Sequence, residues 1–157
     1  MSAPDPILQQ LWASIMTALE GITGGTNYHH TVKFVTSDLV SLLSLSPQQT
    51  PALMVMADAE GAQRTFHMAG QIRETYPFVI EGRVDAPGLV ADAKRDAYAQ
   101  LLTDIEYALT RDVTRGGLAA TTFVRPPKGP FMGLDNTGIV QFQQRVDCVV
   151  VRMTGER

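Results

Sequence analysis

Between Leu89 and Leu118 the chain reads LVADAKRDAYAQLLTDIEYALTRDVTRGGL, and this stretch decides the fold class. Ala97, Tyr98, Leu101, Leu102, Ile105, Ala108 and Leu109 recur three and four residues apart, which draws one apolar stripe along a helix. Asp96, Thr103, Glu106 and Arg111 fall opposite the stripe and are expected to face water. About twenty helical residues span about 30 Å, enough to cover a small sheet. Asp112-Val113-Thr114-Arg115-Gly116-Gly117-Leu118 reads as the helix stop, because paired glycines end helices cheaply.

Upstream, Asp5-Pro6 suits a helix start: Asp caps open N–H groups and Pro fits the first helical position. Ile7, Leu8, Leu11, Trp12, Ile15, Ala18 and Leu19 continue it as a second amphipathic helix that Gly21, Gly24 and Gly25 close. Gly24-Gly25-Thr26 has neither the preceding strand nor the Lys-Ser/Thr pair of a phosphate loop and reads as a turn. Tyr28 to Val35 is expected as a strand. There the adjacent His29 and His30 point to opposite faces and share no ligand; His67 stands alone, so no metal site is expected. Ser37 or Asp38 caps an expected short helix through Leu39, Val40, Leu42 and Leu43, ending before Pro47.

Pro51 opens Ala52 to Ala57, a short run apolar on both sides and hence a covered strand. It ends in the turn Asp58-Ala59-Glu60-Gly61, where Asp58 and Glu60 have no apolar wall to raise a pKa and read as solvated carboxylates. Arg64 to Ile72 allows either a strand or an extended loop. Thr75 to Val84 alternates, with Tyr76, Phe78, Ile80, Gly82 and Val84 on one face, a half-buried strand whose Pro77 belongs at an edge. Ala86-Pro87-Gly88 then turns the chain into the long helix.

After that helix, Ala119 to Val124 reads as a strand. Arg125 to Gly133 carries three prolines and two glycines, which excludes regular structure and predicts an exposed loop bearing Lys128, Phe131 and Met132. Ile139 to Met153 is a strand longer than a sheet of this size requires. Its polar first half, with Gln141, Gln143 and Arg145, is expected to project, and its apolar second half to sit centrally. Cys148 lacks a local activating base and reads as a small buried hydrophobe.

The elements thus run helix, strand, short helix, strand, hairpin partner, long helix, strand, strand. That order predicts an α+β domain: an antiparallel or mixed sheet packed on one face by the N-terminal and the long central helix. At 157 residues one domain is expected, with 45% apolar and 18% charged residues and a net charge of −3. Lys and Arg are scattered, which argues against a dedicated nucleic-acid surface. A lone cysteine, the absence of a long apolar run, and an N-terminus without signal-peptide character predict a cytoplasmic setting. No catalytic motif is present, and no cofactor is expected.

The order of elements resembles that of the tail terminator proteins of long-tailed bacteriophages. The likeness is carried by the helix Pro6 to Leu19 followed by a Tyr-His strand, the Pro-led strand Pro51 to Ala57, the alternating strand Phe78 to Val84, and a long closing strand, Ile139 to Met153. Its most specific part is Leu102-Thr103-Asp104-Ile105-Glu106-Tyr107-Ala108-Leu109 leading to Asp112-Val113-Thr114-Arg115-Gly116-Gly117-Leu118-Ala119. The resemblance implies a non-enzymatic virion protein of the tail and neck. As a homo-hexameric ring it caps the tail-tube protein, ends polymerisation and meets head-completion proteins, while DNA passes without specific binding. The candidate subunit or partner contacts, chosen for their expected exposure, are Lys128, Phe131, Met132, Gln141, Gln143 and Arg145. The alternatives are a head-completion (stopper) protein of the same neck, a small enzyme using His29, His30 or His67 with Asp58 or Glu60, and a ligand-binding domain.

Overall fold

The structure, a computed structural model, describes residues 6–58, 61–86, 91–132 and 138–154. Among these, helix α1 spans Ile7–Glu20 and α2 spans Ala91–Thr110, and seven strands form one mixed sheet. The strands are β1 (Phe34–Thr36), β2 (Ala52–Ala57), β3 (Gln63–Phe66), β4 (Gln71–Asp85), β5 (Thr121–Val124), β6 (Lys128–Met132) and β7 (Ile139–Met153). Their path is β1-β2-β4-β7-β5, with β3 also on β4 and β6 also on β7. Only β1–β2 is parallel among these pairs. The fold is α+β, with the sheet packed by the N-terminal and the central helix.

Both helices bury the stripes their spacing predicts. Leu11, Ile15 and Leu19 of α1 and Ala97, Leu101, Ile105, Ala108 and Leu109 of α2 meet Leu53, Val55, Phe78, Ile80, Phe142 and Val146 in one apolar cluster. Trp12 sits edge-on to Phe78 and donates its indole N–H to the Val55 carbonyl at 3.1 Å. Phe142 lies directly across from Gly82, and a Cβ at residue 82 would fall inside the Phe142 ring. That glycine is what lets the ring lie flat on the sheet. The expected start of α2 at Leu89, its turn at Pro87-Gly88 and the Asp5 cap lie outside the described residues.

The predicted stop works through side chains as well as glycines. Helix α2 ends at Thr110, short of Leu118, and Arg115, Gly116 and Gly117 all take positive φ. The buried Arg115 guanidinium folds back and donates to the carbonyls of Leu109 and Asp112, placing a cation on the negative helix end. Asp112 accepts from the backbone N–H of Thr114 and of Gly116 and from the Thr114 hydroxyl. These bonds hold its carboxyl below the usual range, the Thr114 hydroxyl contributing most.

Four expectations are corrected. The Tyr28–Val35 strand shrinks to Phe34–Thr36, because the backbone N–H groups of His29 and His30 bond to Asp104 rather than to a neighbouring strand. The helix over Leu39–Leu43 is absent: a 3₁₀ turn forms at Leu42–Ser44 and Leu39 is 84% exposed. So short a helix has little stability of its own. Here the carbonyls of Leu42, Leu43 and Leu45 are held by the Arg83 guanidinium instead. Pro77 marks no edge, since β4 is central. Its ring nitrogen faces the gap where β3 gives way to β2, and its carbonyl accepts from Asp58 N–H there at 2.9 Å. No ladder bond is lost.

The fourth correction concerns the expected loop at Arg125–Gly133. Lys128–Met132 pairs with β7 as β6, with an irregularity between Lys128 and Phe131. An edge position beside a bulge tolerates the proline that a central strand would not. Gly133 lies outside the described residues. Arg64–Ile72, open between strand and loop, resolves into β3, a turn at Met68–Gly70 and the start of β4.

Candidate functional site

Of the six residues expected at subunit or partner contacts, strand register brings four together: Lys128 lies opposite Gln143 and Phe131 opposite Gln141. The first half of β7 does not project: β7 pairs with β4 along its whole length, from Ile139 opposite Asp85 to Met153 opposite Gln71. The length of the strand is matched by an equally long β4, which reaches back to Gln71 beyond the expected Thr75. Gln141 and Gln143 are half-buried, and Gln143 donates to the Glu81 carboxylate at 2.8 Å. Lys128 lies exposed on β6 opposite Gln143. The backbones of Phe131 and Met132 pair with Gln141 and Val140, and their side chains lie outside the described set. Arg145, two residues beyond Gln143 on the same face of β7, lines a groove.

That groove, of about 400 Å³, crosses the sheet face turned away from the helices. Alternation on the strands builds it: Thr65 of β3 lies opposite Arg73 of β4, Gln63 opposite Thr75, Thr75 opposite Val149 of β7, and Asp147 opposite Phe123 of β5. Its charged members are Arg73, Arg125, Arg145 and Asp147, with His67 at one end. Asp147 is buried and accepts from Arg125 Nε at 2.7 Å and Arg145 Nε at 2.8 Å, so one carboxylate aims two guanidiniums. The hydrogen bond to Asp147 pushes the Arg145 pKa up, and its Nη1 also lies 3.9 Å from Asp58. Arg125 leans over the exposed Phe123 ring, its Cζ 5.5 Å from the centroid.

A second ionic cluster closes the helix-side face where the sheet runs past the helices. The buried Glu74 carboxylate accepts from Arg64 Nε at 2.6 Å, Tyr76 Oη at 3.0 Å and Arg152 Nη2 at 3.0 Å. Burial pulls its pKa up, but the hydrogen bonds from Tyr76, Arg152 and Arg64 outweigh this and hold it below the ordinary value.

The histidines are joined by a carboxylate of α2, that of Asp104. Asp104, 1% exposed, accepts from the backbone N–H of both His29 and His30 at 2.8–3.1 Å, and its oxygens lie 3.1 and 3.2 Å from their Nδ1 atoms. The two rings thus converge on one carboxylate, because outside a strand adjacent side chains can turn to one group. A signal existed, since Asp104 falls three after Leu101 and four before Ala108, inside the apolar stripe of α2. Asp58 is far from this cluster, beside Arg145, and Glu60 lies outside the described residues. Among the described residues no hydroxyl or thiol is hydrogen-bonded to either ring, and no three metal-ligating side chains converge. Cys148 is buried, as expected, and burial pushes its thiol pKa up, away from the thiolate a nucleophile needs.

Fold and site together define an α+β sheet domain whose helix-free face carries an arginine-lined groove. No protein-family model and no curated protein matches the chain. No helix among the described residues is long and apolar enough to cross a membrane.

Proposed function

We propose that this chain is a ring-forming structural subunit, and within that class a tail terminator. As a homo-hexamer it caps the completed tail tube of a long-tailed phage, ends its polymerisation and presents a surface to the head-completion proteins of the neck. The observation that carries the reading is a pair of edge strands on opposite sides of the sheet at one level. Gln63 of β3, Thr75 of β4, Val149 of β7 and Thr121 of β5 lie in a single cross-sheet row. Each neighbouring pair is antiparallel, so β3 and β5 run antiparallel to one another. A copy placed beside the first can therefore join its β3 to the β5 already present, head to tail, and such a contact closes into a ring when the rotation between copies allows. Phe66 on β3 is 70% exposed and Phe123 on β5 is exposed too, apolar surface at both edges for a neighbour to cover. The likeness of Leu102–Ala119 to the terminator family points to the same class.

Light scattering on a sizing column and negative-stain imaging, alone and with tail tubes, test the proposal. Rings of about six copies that bind tube ends are expected. Phe66→Lys, at an exposed edge position, is expected to weaken the ring and leave the protomer folded. A strict monomer that neither forms rings nor binds tube ends overturns the reading.

A further inference from the structure

We infer that the groove on the helix-free face is a binding site for a phosphate-class oxyanion, held by Arg73 and the terminal nitrogens of Arg125. The proposal stands independently of the ring reading. Arg73 comes from β4, Arg145 from β7 and Arg125 from the end of β5, so three guanidiniums far apart in sequence are gathered by paired strands rather than by a flexible loop. A chain of net charge −3 thus concentrates positive charge at one place on its surface.

The use of donors separates the three arginines. Asp147 occupies the Nε edge of Arg125 and of Arg145, and Asp58 further engages Arg145. Among the described residues no carboxylate reaches Arg73 or the terminal nitrogens of Arg125. Asp147 therefore acts as a positioning group: buried itself, it fixes where the free donors of Arg125 point and leaves them unfilled. The hydroxyls of Thr65 and Thr75 line the same groove and add neutral donors.

Several donors arriving from separate strands suit a tetrahedral anion with three or four acceptor oxygens better than a carboxylate, which a single guanidinium fork can saturate. An apolar ligand finds little here, since the lining offers only Phe123 and Val149 as large apolar side chains. The oxyanion can be free phosphate or a phosphodiester of nucleic acid, and the two differ in how much of the groove they fill.

The test is a titration of the full chain followed by amide and arginine Nε–H NMR shifts. Inorganic phosphate is compared with chloride at matched ionic strength, and a short single-stranded oligonucleotide is titrated in parallel. Saturable shifts confined to the groove are expected with phosphate at concentrations on the order of 10 mM or below. Arg73→Gln and Arg125→Gln are each expected to weaken binding about tenfold, the worth of one charge-assisted hydrogen bond. Arg95→Gln, on the exposed side of α2 and bonded to Asp92, should change nothing. Oligonucleotide binding at least about tenfold tighter than phosphate, lost in the same two variants, assigns the site to a nucleic-acid backbone; equal or weaker binding assigns it to the free anion. Shifts that chloride reproduces, that never saturate, or that survive Arg73→Gln overturn the proposal.

Discussion

Arg83 and Arg73 stand on one strand, on one face of the sheet, and do opposite things. Arg83 is 3% exposed, with Nε and Nη2 on Asp85 at 2.8 and 2.9 Å and Nη1 on the carbonyls of Leu42 and Leu45 at 2.8 and 2.9 Å. Arg73 is exposed at the groove, with no carboxylate partner among the described residues. The difference lies in what crosses each. Over Arg83 the 3₁₀ turn Leu42–Ser44 and the following Leu45 present carbonyls; that of Leu42 also accepts from the Leu45 N–H at 3.4 Å, and the guanidinium holds all three. Over Arg73 nothing described crosses. A guanidinium on this face is structural where the chain supplies acceptors and available where it does not.

The largest effect should therefore come from Arg83→Ala. It removes the guanidinium donors from the carbonyls of Leu42, Leu43 and Leu45 and the partner of Asp85, for a loss of about 3 kcal/mol or more. Urea unfolding measures it, and protease cleavage within Leu39–Leu45 should rise in the same variant, because Leu39 and Leu43 are already exposed. A loss under about 1 kcal/mol would mean that water replaces the guanidinium and that Arg83 resembles Arg73 after all.

The helix-covered face sharpens the contrast because it is closed by hydrocarbon. Gly82→Ala pushes a methyl into the buried Phe142 ring, and overpacking of this kind costs about 2 kcal/mol. Gly82→Ala combined with Phe142→Leu should recover part of that loss, which a purely backbone effect would not permit. Where the same face runs past the helices, closure passes to Glu74, and the signature becomes pH dependence. Its folded pKa is depressed, so its contribution is fully present above the unfolded value of about 4.3 and is lost as pH falls through the lower folded value. Glu74→Gln should flatten the acid limb of stability against pH while the wild-type curve falls there.

These contrasts also mark how far the sequence could be read. Apolar periodicity marks α1, α2, β4 and β7, because burial of one face leaves a repeat that neighbours along the chain display, and an unbroken apolar run marks β2. The groove and the three ionic clusters were not legible by that route. Arg73, Arg125 and Arg145 look scattered until β4, β7 and β5 are laid side by side, and pairing register is long-range information. Asp104 was hidden differently: its carboxylate lies within an apolar stripe, but the N–H groups it accepts belong to residues 75 and 74 positions earlier. Lys128–Met132 forms a strand that composition argues against, because prolines and glycines forbid central strands but not an edge beside a bulge. Three of the six contact candidates, Gln141, Gln143 and Arg145, are expected on a projection that the long β4 abolishes by pairing with it.

The smallest expected effect tests the comparison from its other side. Arg73→Gln removes an exposed cation that no carboxylate among the described residues balances, so neither a broken ion pair nor a stranded acceptor is expected there. Stability should change by no more than about 0.5 kcal/mol, the range for surface sites away from caps and cores. Arg145→Gln should lie between the two extremes, below about 1 kcal/mol, since Asp147 keeps its bond from Arg125 at 2.7 Å when Arg145 is gone. The ordering Arg83, Arg145, Arg73 is the substance of the claim. Urea midpoints for the three variants, measured in one buffer without phosphate, read it directly. Were Arg73→Gln to cost as much as Arg83→Ala, the groove arginines would be struts of the fold, and their free donors would have been misjudged.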